Sequence, residues 1–414
     1  MQGKLTSNIM YKKYVKSDLL KRPLYFERML PFIGKDVIKV LVGQRRVGKS
    51  YFLFQLIQHV AYEIAGSNIV YINKELPDFN EIRTDVDLMR FIKGYEKENN
   101  NFLFLDEVQD IENYPAALRA LLAEGLWDIW CTGSNASFLS TDISGSLSGR
   151  HIEFEINPLN YNEFIEFHSL SHSSTSIQLF LKYGGLPYLR NLPLNDEIVF
   201  EYLRNIYNTI LYKDVIARHN IRNSRFVEDL VKYLADNTAS IVSAKKISDF
   251  LKNQRINIAP VRVIEYLDHL VKSFFVNKVS RADLKGRKIF EFGEKYYFRD
   301  IGLRNSIIGF KSADINKILE NVVLNHFKSY GYSCTTGDYN GREIDFVFER
   351  NQSRIYVQVT YLLANEDVIH REFGNLKLID DNYPKFVISM DELQFDNDRG
   401  INHIRLQDFL TRKF

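Results

Sequence analysis

Eight residues, Gly43-Gln44-Arg45-Arg46-Val47-Gly48-Lys49-Ser50, carry the pattern G-x-x-x-x-G-K-[ST]. Its glycines let a loop wrap until backbone N–H groups face phosphate oxygens, while Lys49 adds a point charge and Ser50 a hydroxyl for magnesium. Tyr51 follows directly and joins this nucleotide-binding set. Downstream, the apolar run 102–105 ends in Asp106-Glu107. An acid at a strand end suits a water-mediated hold on Mg2+, and its neighbour suits the task of orienting and deprotonating an attacking water. Asp106 is therefore expected at the metal and Glu107 at the water. A third run, 129–131, leads into Thr132-Gly133-Ser134-Asn135, where Asn135 is the candidate for sensing the γ-phosphate or holding the water. Arg150 closes the segment 145–150 ahead of the next strand. Two readings stand for it: a cation that stabilises charge on a transferring phosphoryl group, and a surface arginine with no part in the chemistry.

Such a loop works only between a strand and a helix, whose N-terminus adds to the attraction for anions. The apolar run 38–42 precedes it and the helical stretch 51–65 follows it. Further apolar runs at 68–72, 102–105, 129–131 and 152–156, separated by amphipathic stretches, predict an α/β core with a mainly parallel sheet buried on both faces. A Ser-rich segment, 169–176, marks a boundary, and 178–236 reads as helices broken by Gly184, Gly185 and Pro187. Helical spacing at 243–254 and 260–274, then strand-like 275–279 and 288–292 around Lys285-Gly286-Arg287, gives helix, helix and hairpin, the order of a winged helix. The end of the chain predicts a helix at 315–330 and strands at 343–348, 354–360 and 386–389. Four domains are expected: 1–168, 177–236, 237–310 and 311–414.

Composition narrows the classes. Hydrophobic residues at 45% and charged residues at 26% exclude a disordered or fibrous chain. A net charge of +2 provides no global field for nucleic acid or anionic membrane. Two distant cysteines, Cys131 and Cys334, make neither a disulfide framework nor a thiolate metal site, and no run is apolar enough to span a bilayer, so the cytoplasm is the expected compartment.

With these motifs the chain resembles the bacterial and archaeal AAA+ ATPases whose loop reads G-x-R-R-x-G-K-[ST] and which carry a C-terminal domain of uncharacterised function. The marks run along nearly the whole chain: Leu105-Asp106-Glu107-Val108-Gln109, Thr132-Gly133-Ser134, Leu147-Ser148-Gly149-Arg150, Pro158-Leu159 with Glu163-Phe164, and Tyr183-Gly184-Gly185-Leu186-Pro187. Tyr212-Lys213-Asp214-Val215, Arg299-Asp300-Ile301-Gly302-Leu303-Arg304 and Glu343-Ile344-Asp345-Phe346 continue them. The resemblance implies a P-loop AAA+ core, a helical lid, a winged helix and a restriction-endonuclease-like α/β end domain. It also implies ATP or ADP with Mg2+ as ligands and hydrolysis coupled to interdomain movement. Gly185-Leu186-Pro187 is similar to the lid element in which a proline packs on adenine; a plain helix-breaking turn is the other reading of Pro187.

The remaining surfaces leave the partner open. The helix at 260–274 exposes Arg262, Glu265, Asp268, His269 and Lys272, a mixed set rather than a basic face for the major groove. Lys285, Arg287 and Lys288 at the hairpin tip suit contact with DNA phosphate, while packing on the core is the alternative. In the end domain Glu320, Asp345 and the pair Gln358-x-Thr360 lie in the order of the nuclease-like fold, which normally presents Glu-x-Lys at the last position. Cleavage is therefore not expected. ATP, a DNA contact, an unidentified protein and a second copy of the chain are the candidate partners; a membrane is not.

Overall fold

The runs around the phosphate loop offer no polar face to solvent, so they pair side by side beneath helices. In the computed structural model, which describes residues 19–134, 149–253, 258–285, 288–289, 293–392 and 400–414, the chain divides into two compact units, Met1–Ile156 and Asn157–Phe414. The first contains α1 (Pro23–Met29), β1 (Ile38–Val42), α2 (Lys49–Glu63), β2 (Asn68–Asn73), α3 (Asp85–Lys93), β3 (Asn101–Asp106), α4 (Tyr114–Glu124), β4 (Trp127–Gly133) and β5 (His151–Glu155). Every strand pair is parallel, in the order β2-β3-β4-β1-β5. Each strand overlaps the run that predicts it, because burial on both faces is what the apolar runs encode. Lys39 breaks that rule in the middle of β1, where it is fully buried. Its ammonium donates to Asp128 Oδ1 at 2.7 Å and also to the Lys35 carbonyl, the pairing a buried charge needs.

The second unit opens with α5 (Tyr161–Phe167), α6 (Ser174–Tyr183), α7 (Asp196–Thr209), a π-helix over Ile210–Ala217, and α8 (Ser224–Asp236). A capping box starts α5: Asn160 Oδ1 accepts from the Glu163 N–H and the Glu163 carboxylate accepts from the Asn160 N–H, both at 3.0 Å. Next come β6 (Ile241–Val242), α9 (Ala244–Asn253), α10 (Pro260–Lys272), β7 (Val276–Asp283), β8 (Lys288–Ile289), β9 (Glu294–Phe298), α11 (Ile301–Ile308) and α12 (Ile315–Ser329). The chain finishes with β10 (Ser333–Tyr339), β11 (Arg342–Arg350), β12 (Ser353–Val359), α13 (Glu366–Lys377), β13 (Lys385–Ser389), β14 (Ile401–Arg405) and α14 (Leu406–Phe409).

A mixed sheet runs through the unit in the order β14-β13-β12-β11-β10-β7-β9-β6, with β8 on β7. Residues 335–338 of β10 pair parallel with residues 280–283 of β7. Hairpin and end-domain strands thus share one sheet across the boundary drawn at 310–311 from the sequence. The reason is β10, Ser333-Cys334-Thr335-Thr336-Gly337-Asp338-Tyr339. It is too polar to read as a strand, yet it is the bridge.

Two marks of the family resemblance meet in this unit. Asp300 caps α11 by accepting from the Leu303 N–H at 2.9 Å, and it also accepts from the Gly185 N–H at 2.7 Å. Burial pushes its carboxyl up to about 6, although N–H groups of Gly185, Leu303 and Gly302 oppose the shift. A Cβ on Gly302 would stand 1.9 Å from the Tyr183 carbonyl oxygen, so only glycine permits this approach. Arg304, fully buried, donates to the Ala235 carbonyl at 2.9 Å and to Asp314 Oδ2 at 2.7 Å. Segments 183–187 and 299–304 are therefore two halves of one packed joint.

Candidate functional site

The residues expected to bind nucleotide gather at the C-terminal edge of the parallel sheet, where β1, β3 and β4 deliver them. After β1, Gly43 turns at φ 146° with its α-carbon against β5; a Cβ there would stand 2.3 Å from the Ile156 carbonyl oxygen. Arg46 and Gly48 both take left-handed φ, 71° and 98°, and α2 starts at Lys49. The Lys49 ammonium is buried and donates to the carbonyls of Gly43 at 3.0 Å and Gln44 at 3.2 Å, curled over its own loop. Arg45 reaches Glu75 at 3.4 Å, Val47 is buried with its carbonyl accepting from Arg22 at 3.2 Å, and Arg46 and Tyr51 are exposed. Gln44 is buried, and neither atom of its amide has a partner. A loop that leaves a buried amide unsatisfied and directs a lysine onto itself fits a polyanionic ligand.

The acids sit at the end of β3. Asp106 Oδ1 accepts from the Thr132 hydroxyl at 2.6 Å and Oδ2 from the Tyr71 hydroxyl at 3.2 Å. Burial raises the Asp106 carboxyl above its ordinary range; Thr132, Ser50 and Lys49 counter this, whereas Glu107 adds to it. A hydroxyl from Ser50 beside a buried carboxylate of raised basicity fits Mg2+ at this place. Glu107 sits at φ 56°, a left-handed conformation that is strained for a glutamate. Its N–H donates to the same Thr132 oxygen at 2.9 Å, and its carboxylate accepts from the Gln109 amide. Burial works against its charge, but Lys49, Gln109 and Arg45 outweigh it and hold Glu107 below the usual carboxylate range. It is therefore ionised, as a base for water must be.

Lys49, Ser50, Asp106 and Glu107 thus come together as the spacing predicts. Thr132 joins them as the link between the two acids; Asn135, the candidate for sensing the γ-phosphate or holding the water, lies outside the described residues. Tyr71 carries no signal in the sequence, and Gln109, two residues past Glu107, stands there as part of the family motif without a role of its own. Arg150 is exposed, and its carbonyl accepts from the Ile38 N–H at 2.9 Å. Pro187, in the other unit, begins a short 3-10 helix, Pro187–Asn191.

The end-domain residues that the sequence orders like a nuclease site also converge, within the second unit. Glu320 on α12 accepts from the Tyr297 hydroxyl at 2.9 Å. Lys295 on β9 stands 3.5 Å from Glu320 and 2.7 Å from Glu343. Gln358 accepts from the Asp345 N–H at 2.6 Å and donates to Glu372 at 2.9 Å, while Asp345 Oδ2 accepts from the Val359 N–H at 2.8 Å. On α10, Arg262 pairs with Glu265 at 2.5 Å and Lys272 with Asp268 at 2.7 Å, so its outer face is neutralised internally. At the hairpin tip, Arg287 and the side chain of Lys288 lie outside the described residues.

Residues 35–165 match the family described as an AAA domain, and residues 175–314 match a domain of unknown function (DUF8612). An uncharacterized protein of Haemophilus influenzae is 30% identical over 403 residues, which is 95% of this chain and 99% of that one. A second, from Methanocaldococcus jannaschii, is 29% identical over 434 residues, covering 97% of this chain and 93% of its own. Among solved structures, a Walker-type ATPase of Pyrococcus abyssi shares the fold with a TM-score of 0.50 at 16% identity, over 70% of this chain and 97% of that one. No helix among the described residues is long and apolar enough to cross a membrane.

Proposed function

The chain belongs to one family with the uncharacterized Haemophilus influenzae protein and carries an AAA domain over residues 35–165, and from these we propose an ATP-binding, Mg2+-dependent enzyme that hydrolyses ATP to drive movement between its domains. The observation that carries the reading is the Thr132 hydroxyl, which accepts from the Glu107 backbone N–H and donates to the Asp106 carboxylate, fixing two acids with different tasks beside Lys49 and Ser50. Bound ATP with Mg2+ supplies an activated γ-phosphoryl group whose charge the metal offsets. The chain supplies the rest. Backbone N–H groups from Gly43 to Ser50 and the α2 N-terminus cradle phosphate. Lys49 exchanges its loop carbonyls for phosphate oxygens, and Ser50 and Asp106 hold the metal. Glu107 orients a water and takes its proton.

Arg150, exposed ahead of β5, is the candidate cation for a nucleotide on a second copy of the chain, and Asn135 and Pro187 complete the set at the γ-phosphate and the adenine. The helical segment 177–236 acts as the lid and the helix, helix and hairpin as a winged helix that passes the nucleotide state onward. The neutral outer face of α10 favours a protein partner over a DNA groove. A slow nucleotide-operated switch is the second reading, favoured by Gln109, whose amide holds the Glu107 carboxylate. Phosphate release with Mg2+·ATP tests both. Steady turnover abolished by Glu107→Gln supports the enzyme; one turnover followed by a long-lived ADP complex supports the switch; no nucleotide binding refutes both.

A further inference from the structure

The nuclease-like fold of the end domain calls for carboxylates that share a divalent metal, and the arrangement of these residues argues against one. Asp345 and Glu320 are the acids the fold would use, but the space among the acids receives an ammonium from elsewhere in the chain. Lys295 on β9 is buried, 2.7 Å from Glu343 Oε1 and 3.5 Å from Glu320 Oε2. One oxygen of each of these acids is already engaged, Glu320 Oε2, Asp345 Oδ2 and Glu343 Oε1. Tyr297 donates to Glu320, the Val359 N–H to Asp345 Oδ2, and the Asp345 N–H to the only carbonyl oxygen of Gln358. The Gln358 amide nitrogen is turned to Glu372, which also receives Arg371 at 2.6 Å. No group of three or more histidine, cysteine or acidic side chains able to hold a metal ion is found among the described residues.

We propose that Lys295 is a built-in cation, seated where a divalent metal would sit in a nuclease of this fold, so that the end domain takes no Mg2+, cuts no nucleic acid, and uses the ammonium to clamp β9 to α12 and β11. The charges agree with that seat. Burial disfavours the ammonium, yet Glu320, Asp345 and Glu343 together raise the Lys295 pKa above its ordinary value. Burial and mutual repulsion raise Asp345 and Glu320, with Lys295 the main relief for Glu320. One compact ammonium offsets repulsion among acids as a metal would, without the several oxygen ligands Mg2+ demands.

The test uses the full-length, nucleotide-free chain with Mn2+ as the probe, followed by electron paramagnetic resonance, together with cleavage assays on linear, circular and single-stranded DNA and on RNA in Mg2+ or Mn2+. The native chain should leave every substrate intact, and its weak Mn2+ binding should not change in Glu320→Gln. Lys295→Met should lower Tm by roughly 10 °C and gain one saturable Mn2+ site, at least about tenfold tighter than any in the native chain, that disappears in Lys295→Met with Glu320→Gln. Native cleavage lost in both Asp345→Asn and Lys295→Met would overturn the proposal, because Lys295 would then be serving a metal. A native Mn2+ site lost in Glu320→Gln would overturn it too, as would a folded Lys295→Met that gains none. If Lys295→Met does not fold, the two native measurements still decide.

Discussion

Replacing Thr132 with valine removes one oxygen at nearly constant volume from the centre of the ATPase site. Thr132 is fully buried, so no water replaces what is lost. Asp106 gives up a 2.6 Å bond to its charged oxygen, worth about 1.5–3 kcal/mol. The Glu107 N–H gives up its 2.9 Å acceptor, and an unsatisfied buried donor costs about 1–3 kcal/mol. Folding stability should therefore fall by roughly 2.5–6 kcal/mol. If the bond to Asp106 matters fully in the transition state, its share alone slows hydrolysis about 10- to 150-fold, at 1.36 kcal/mol for each factor of ten. Nucleotide affinity should change by less than about threefold, since Lys49 and the loop are untouched. Denaturant unfolding, fluorescent-nucleotide titration and steady-state phosphate release measure the three quantities. Thr132→Ser keeps the hydroxyl and should recover most of the rate. A folded Thr132→Val chain that hydrolyses ATP within threefold of the native rate refutes the role given to this residue.

Lys49→Ala should weaken ATP binding by at least about tenfold, read by equilibrium titration, whereas Glu107→Gln should bind normally and lose about 10² to 10⁴ in turnover. Arg150→Ala should lose about 10³ in rate if the arginine serves a neighbouring copy. Mixing it with Lys49→Ala protein should then restore hydrolysis; specific activity that is flat in protein concentration, with no rescue, removes Arg150 from the chemistry. Gly302→Ala places a methyl 1.9 Å from the Tyr183 carbonyl oxygen and should lower Tm by roughly 5–10 °C, with a scanning calorimeter as the check and an unchanged Tm as the contrary result.

What could be read from the residues depended on how local the physics was. The core strands were legible because each is a short apolar run buried on both faces, and the phosphate loop because its eight residues act contiguously. Asp106 and Glu107 followed from their place at a strand end. The Thr132 link was only half legible: its motif was visible, but the choice among its polar residues depends on which one faces β3, and pairing decides that. Lys295 gave no signal at all. It is twenty-five residues from Glu320 and lies on a strand of its own, so only the fold brings its ammonium to those acids. β10 was missed for the opposite reason, since a polar strand in mid-sheet is held by its neighbours' hydrogen bonds rather than by its own hydrophobicity.

The parallel pairing of β7 with β10 also bears on how such a chain can be inherited. A recombination or truncation near residue 310 would leave residues 280–283 of β7 without their β10 partners, an open strand edge that invites pairing with other chains. It would also strip Lys295 of Glu320 and Glu343, leaving a buried charge with nothing to offset it. A viable exchange of parts has to keep Asn157–Phe414 together, because Asp300 and Arg304 also tie α11 to Gly185 and Ala235 upstream of β6. The helices from α5 to α8, the hairpin and the end domain are thus a single heritable module, and fragments for expression should be drawn along that line.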